Sequence, residues 1–305
     1  MTFPMTFSAE VAAARAAGTP IVALESTIIT HGMPFPQNIQ TARIVEQDVR
    51  DGGATPATIA VMNGALHIGL EADQLDGLGQ ATDVAKLSRA DIAACIAMGG
   101  TGATTVAATM IAAHLAGIHV FATGGIGGVH RGAEISFDIS ADINELAQTP
   151  VTVVAAGAKA ILDLEKTYEI LETLGVPVIT VGQDMLPAFW SAVSDIATPL
   201  RMDTAAQIAS AQITRTAMGL SGGQLICNPI PIDSQIPADV LAPVIAQALS
   251  EADAQSISAK LVTPFLLGRI FELTEGRSLV ANIALVRNNA VLATKIAGEM
   301  VKQSG

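Results

Sequence analysis

Aromatic and charged side chains are both scarce in this 305-residue chain: aromatics make up 3% and charged residues 14%, against about 25% charged in an average soluble protein. Basic residues are the scarcer sign, with 16 Lys and Arg against 28 Asp and Glu, a formal charge of -12. That balance repels phosphate backbones and anionic lipid, so no nucleic-acid partner and no membrane surface is expected, although a local basic pocket still suits a phosphorylated small molecule. The two cysteines, Cys95 and Cys227, lie far apart and form no CxxC pair. A disulfide framework and a Cys-rich zinc site are thereby excluded, and a cytoplasmic location fits. The first residues have no basic segment followed by an apolar one, and Glu10 and Arg15 interrupt them, so no signal peptide is expected. No repeat, charge block or Pro/Ser-rich linker divides the chain, which is expected to form a single domain over 1–305.

Half of the chain is hydrophobic, with a mean hydropathy of +0.48, and the stretch 92–130 contains no Asp, Glu, Lys or Arg. Length alone would allow a membrane helix there. Gly99, Gly100, Gly102, Gly117 and the Gly-rich run 124–128 break it, His114 and His119 sit inside it, and it is built from Ala, Thr and Gly. A buried interior segment is the expectation. Elsewhere, short apolar runs bounded by Gly, Pro or Asn alternate with Ala-rich patterns of three-and-four spacing, the signature of a layered α/β fold. Strands are predicted at 21–24, 58–61, 119–122, 151–155, 178–181 and 224–227. Helices are predicted at 37–51, 104–115, 160–174, 205–218, 238–253 and 278–302.

Lysine is rare, with six in the chain, and Lys159 stands where the apolar run 151–158 gives way to the helix predicted from Ala160. Apolar surroundings and the positive end of a helix both destabilise an ammonium. A neutral amine there is a nucleophile able to form a Schiff base with an aldehyde, and the resulting iminium is an electron sink. The alternative is a surface lysine in a first helical turn, paired with Asp163. Glu25 ends the apolar strand 21–24, where ligands of open α/β sheets gather, so it is a candidate general acid or else a turn carboxylate. His31 follows in a loop with two prolines, as a substrate contact or a loop residue.

Two glycine-rich segments suit anion binding through backbone N–H groups. Gly99-Gly100-Thr101-Gly102-Ala103-Thr104-Thr105 leads into a helix and lacks the GK[ST] of a phosphate-binding Walker loop. The second, 122–132, follows a strand and ends in His130-Arg131; both segments have close-packing turns as their alternative. Glu134, Asp138 and Asp142 form the best local carboxylate cluster for Mg or Mn, or an acidic helix start. Lys86 precedes a helix and either reaches a phosphate or is an ordinary surface lysine.

Taken in order, ALESTIITHGMPFPQN from Ala23, KLSRAD from Lys86, GATTVAATM from Gly102, FATGGIGGVHRGAE from Phe121, FDISADI from Phe137, VTVVAAGAKAILDL from Val151, GVPVI from Gly175, NPIP from Asn228 and TPFLL from Thr263 closely resemble the pseudouridine-5'-phosphate glycosidase family, also described as indigoidine synthase A-like. The matching stretches span nearly the whole chain. The resemblance implies a three-layer α/β/α sandwich with a mixed, largely parallel central sheet, in a metal-dependent homotrimer. It implies reversible cleavage of pseudouridine 5'-phosphate to uracil and ribose 5-phosphate. By the same resemblance, Lys159 is the Schiff-base nucleophile and Glu25 the proton donor. Lys86, Val106 and the Ser140-Ala141-Asp142 segment contact substrate, and Asp138 holds the metal, expected to be Mn(2+) or another divalent ion such as Mg. Thr123, His130 and Asn289 align with the family's pocket residues. A C-nucleoside needs such an electron sink, because its base is bonded through carbon and cannot leave by simple protonation of a heteroatom. Lys166 is expected to be exposed and replaceable. With one Trp and one Tyr in the chain, uracil contacts are expected from polar groups, with the loop at Phe35 and the pair Asn288-Asn289 as candidates. The rival readings are a Schiff-base lyase for another sugar phosphate and a non-catalytic ribose-phosphate binder.

Overall fold

The computed structural model describes residues 3–255, 257 and 262–304. The first half runs β1 (Met5–Phe7), α1 (Ala9–Ala17), β2 (Ile21–Leu24), α2 (Thr27–Thr30), α3 (Gln37–Asp51), β3 (Thr55–Met62), β4 (Ala65–Ile68), α4 (Ala72–Gln80), β5 (Ala85–Leu87), α5 (Arg89–Ala97), β6 (Gly102–Thr104), α6 (Val106–Leu115) and β7 (Val120–Ala122). The second half continues with α7 (Ala133–Ser136), α8 (Ala141–Gln148), β8 (Thr152–Ala155), α9 (Leu164–Thr173), β9 (Val178–Val181), β10 (Leu200–Met202), α10 (Ala205–Ala217), β11 (Gln224–Cys227), α11 (Ala238–Ala254), α12 (Val262–Leu273) and α13 (Arg277–Ser304).

The strands form one mixed sheet in the order β1-β4-β3-β2-β7-β8-β11-β9-β10, with β6 pairing β3 and β5 pairing β6. Every pairing is parallel except β3 with β4 and β3 with β6. Helices flank this sheet, giving the expected α/β/α layering. Central strands covered on both faces read as unbroken apolar runs rather than alternating ones, and every residue of β7 and β8 is buried. β2, β7 and β8 are adjacent and nearly in step: Leu24 pairs with Ala122, and Ala122 with Val154. Their C-terminal ends therefore open at one level.

The charge-free stretch 92–130 contains most of α5, then β6, α6 and β7. Seven of the ten residues of α6 are buried, which explains why it shows no polar face. Among the described residues no helix is long and apolar enough to cross a membrane. The long α13 packs against α3 and α10 and reaches β2, β7 and β8, so this last helix lies on the sheet, while α12 packs on α11 and α13.

The helix predicted at 160–174 differs: α9 starts at Leu164, because the Asp163 side chain accepts the Lys166 N–H as an N-cap. Five strands escaped prediction. β1, β5, β6 and β10 have three residues each, and β4 has four.

Phe121 in the middle of β7 is completely buried. Phe121→Ala is expected to destabilise the chain by about 3–5 kcal/mol in urea unfolding, the usual range for emptying such a core site. A loss under about 1 kcal/mol would contradict this packing.

Candidate active site

Glu25, Thr123 and Lys159 follow the ends of β2, β7 and β8. Glu25 and Lys159 both line a cavity of about 370 Å³ beyond those ends, where open parallel sheets bind ligands. Thr123 stands beside it and donates its hydroxyl to Glu25 Oε1, while Thr27 donates to Oε2. Both carboxylate oxygens are thus oriented by hydroxyls from different elements.

Lys159 sits in the turn between β8 and α9. Because α9 starts five residues later, its dipole does not act on the ammonium as the sequence suggested; what reaches Lys159 is the cavity itself. Its ion-pair alternative is also absent: Asp163 pairs with Lys166 at 2.9 Å, and Lys159 has no ion-pair partner among the described residues. Lys166 is half exposed and pairs with Glu134 as well, at 3.0 Å. The Lys159 turn is laced to the glycine-rich loop after β7. Ala156 N–H donates to Gly124 O at 2.9 Å, Ile126 N–H to Gly157 O at 3.1 Å, and Lys159 N–H to Ile126 O at 3.1 Å.

Helix starts also form part of the wall. Thr105 caps α6 and Ser140 caps α8, and both caps line the cavity with Val106 and Ala141, the first residues of the two helices. First-turn N–H groups have no partner inside a helix and carry the positive end of its dipole, so two such ends together favour an anion. Lys86 and Ser88 lie on the same wall. Asp142 lies there too, but its carboxylate is engaged: Oδ1 accepts the Ala107 N–H at 2.9 Å and Oδ2 the Gly127 N–H at 2.8 Å. Asp142 therefore ties the glycine-rich loop to the start of α6. Only glycine fits at 127, since a Cβ would lie 2.3 Å from Ser140 Oγ.

A family model described as "Indigoidine synthase A like protein" matches residues 10–299. The chain is 71% identical to a pseudouridine-5'-phosphate glycosidase from Roseobacter denitrificans, over 98% of this chain and 96% of that one. It is 56% identical to one from Geobacillus kaustophilus, over 97% and 98%. The chain belongs to the indigoidine synthase A-like family.

Among solved structures, a prealnumycin C-glycosynthase in complex with ribulose 5-phosphate matches with a TM-score of 0.92 and 36% identity, covering 100% of this chain and 99% of that one. An indigoidine synthase A-like protein from Thermotoga maritima matches with a TM-score of 0.89 and 31% identity, over 98% and 97%. Relatives that carry an enzyme's name at this identity and coverage make the chain an enzyme of this indigoidine synthase A-like family.

Of the asparagines on α13, it is Asn282 and not the expected Asn289 that stands on the cavity wall. Asn289 is fully buried and does not line the cavity; its Nδ2 donates to Thr123 O at 2.8 Å and its Oδ1 accepts from Asn228 at 3.1 Å. It braces the residue that orients Glu25. Asn282, two turns earlier on α13, does line the cavity, and its Oδ1 accepts the Trp190 indole N–H at 2.7 Å. That bond fixes the flip of the amide and leaves its NH₂ as the remaining donor. The sequence signal for Asn282 was its seven-residue offset from Asn289 on one helix face. Asn288 donates to Pro229 O at 2.9 Å and lies off the cavity, while near Phe35 it is His31, Gly32 and Met33 that form the wall.

His130 and Asp138 also line the cavity. Burial holds the His130 imidazole below its ordinary value, opposed by Asp138 and assisted by Lys159 and Lys86. His31 is lowered by burial and then by Lys86, against a backbone hydrogen bond at Val84. Both rings are thus biased to the neutral form by their surroundings. Among the described residues no group of three or more His, Cys, Asp or Glu side chains could cage a metal. A single carboxylate such as Asp138 suits a hard divalent ion that keeps most of its waters.

His31 is therefore expected to titrate below 6.5 by NMR, and Lys86→Ala to move its midpoint upward by removing a neighbouring positive charge. An unchanged or lowered midpoint in that variant would contradict this arrangement.

Proposed function

We propose that this chain cleaves the carbon-carbon glycosidic bond of pseudouridine 5'-phosphate, reversibly, giving uracil and ribose 5-phosphate through a Schiff base on Lys159. The observation that carries the reading is that one cavity is lined by an amine, Lys159, a carboxyl group, Glu25, two helix starts and Lys86. The names of the relatives at 56–71% identity support the substrate. The sugar phosphate bound to the structural neighbour supports the pocket chemistry.

In this reading the phosphate sits on the Val106 and Ala141 N–H groups with Lys86, which leaves C1′ facing Lys159. Glu25, held by Thr27 and Thr123, delivers a proton to the ring oxygen as the C1′–O4′ bond breaks and the amine of Lys159 bonds to C1′. The ammonium so formed returns a proton to Glu25; the nitrogen lone pair then forms the iminium as the C1′–C5 bond breaks, and C5, which takes up the electrons of that bond, receives the proton from Glu25. Uracil leaves, and water hydrolyses the iminium to the free aldehyde and the amine. The overall balance is one water consumed for each bond cleaved. Two carboxylates flanking the bond, as in ordinary glycosidases, are not required.

Asp138 would hold a divalent ion, Mn(2+) or Mg, which supplies positive charge to oxygens of the bound substrate. The neighbouring neutral His130 offers a hydrogen-bond donor or acceptor on the same wall. Bond formation is the microscopic reverse of these steps, and the name of the structural neighbour, a C-glycosynthase, supports that direction as well.

Uracil release from pseudouridine 5'-phosphate, followed by chromatography, tests the reaction. Glu25→Gln is expected to bind substrate with a KM within about threefold of the wild type and to lose about 10²–10⁴-fold in kcat, the usual contribution of a positioned acid. Unchanged turnover would remove Glu25 from the mechanism, and absence of uracil with turnover of another phosphosugar would replace the substrate. For the metal, Asp138→Asn is expected to weaken Mn(2+) binding by at least about tenfold in calorimetry; equal affinity would place the ion elsewhere.

A further inference from the structure

The chain's one tyrosine lies behind the amine rather than in the cavity. Tyr168 is on α9, 8% exposed, and absent from the cavity wall. Its hydroxyl reaches back to the turn before Lys159, where it accepts the N–H of Ala158 at 3.3 Å. Ala158 is fully buried, so no solvent substitutes for that acceptor. The buried thiol of Cys227 at the end of β11 is the other polar neighbour of this hydroxyl, and burial pushes that thiol up to about 12. Gly157, at φ 84°, closes the packing: a Cβ there would lie 2.8 Å from the Tyr168 oxygen and 3.0 Å from Pro187 O.

We propose that the Tyr168 hydroxyl is a positioning residue for Lys159, holding the Gly157-Ala158-Lys159 turn in place through the Ala158 N–H. It rests on the reading of Lys159 as the reacting amine. The turn is fixed from two sides. In front, the Ile126 and Lys159 amides lace it to the glycine-rich loop; behind, the tyrosine oxygen takes the one amide that points away from that loop. Phenylalanine would fill the same space but leave the buried Ala158 N–H without an acceptor. The turn would then shift toward other acceptors, carrying the lysine with it. A displacement of about 1 Å at a reacting group is enough to cost on the order of 10²-fold in rate. The starts of α6 and α8 keep their own caps, Thr105 and Ser140, so binding of the phosphate is expected to change less than the reaction at the amine.

Tyr168→Phe is therefore expected to lower kcat for uracil release about 10- to 100-fold with KM changed less than about twofold. Reductive trapping of ribose 5-phosphate by cyanoborohydride should slow by a similar factor. A kcat and trapping rate within about twofold of the wild type would overturn the proposal, whatever the change in melting temperature. So would a KM rise that accounts for the whole loss. If the wild type itself is not trapped, the Schiff-base reading of Lys159 falls, and this proposal with it. Should the variant fail to fold, 3-fluorotyrosine incorporated throughout the chain labels position 168 alone. Its fluorine resonance is expected to shift when Lys159 is trapped, and a resonance that does not move would overturn the proposal equally.

Discussion

Three parallel strands that stop at one level impose the geometry on which everything else in the molecule depends. The registers Leu24 with Ala122 and Ala122 with Val154 align the ends of β2, β7 and β8, so residues far apart in sequence arrive side by side. Glu25 follows the first strand, Thr123 the second, and Lys159 a short turn after the third. Backbone hydrogen bonds set this meeting, and side chains refine it: Asn289 grips Thr123, Thr123 and Thr27 grip Glu25, and the glycine-rich loop grips the lysine turn. A ladder of parallel strands is stiff, so the acid and the amine inherit its rigidity.

The electrostatics of the cavity run against those of the whole chain. A formal charge of -12 surrounds a pocket furnished with two of its few lysines and the positive ends of two helices. Acidic groups inside the pocket are either bound or assigned. Asp142 is held by two backbone amides, and Glu25 by two hydroxyls. The net charge discourages polyanions, while the local field favours a small anion such as the phosphate of the proposed substrate. Among the described residues the aromatic rings on the cavity wall are those of Phe189, His31 and His130, and the Asn282 amide stands beside them as a polar group.

Much of this was legible before any coordinates. β2, β9, β11 and α3 have the bounds that their apolar runs and flanking breakers indicated, since their local pattern and tertiary burial agree. The short strands β5 and β6 were hidden for a physical reason. With three residues each, and a glycine at 102, they have too little pattern to register; pairing with β3 holds β6, and pairing with β6 holds β5. The start of α9 was misplaced because Ala160 to Leu162 are apolar like the helix that follows, while the boundary is fixed by one side-chain bond at Asp163. The candidate residues drew their identity from motif resemblance. Their grouping needed the fold, and Asn282 needed it most, because only the orientation of α13 separates it from Asn289.

The central claim is that the aligned strand ends put the Lys159 amine on the C1 carbon of an opened pentose whose phosphate rests on α6 and α8. A crystal structure of the enzyme with ribose 5-phosphate tests it most directly. The account predicts continuous density from Lys159 Nζ to C1, with the phosphate against the Val106 and Ala141 amides. Density joining the sugar to another residue, or a phosphate bound away from both helix starts, would contradict it.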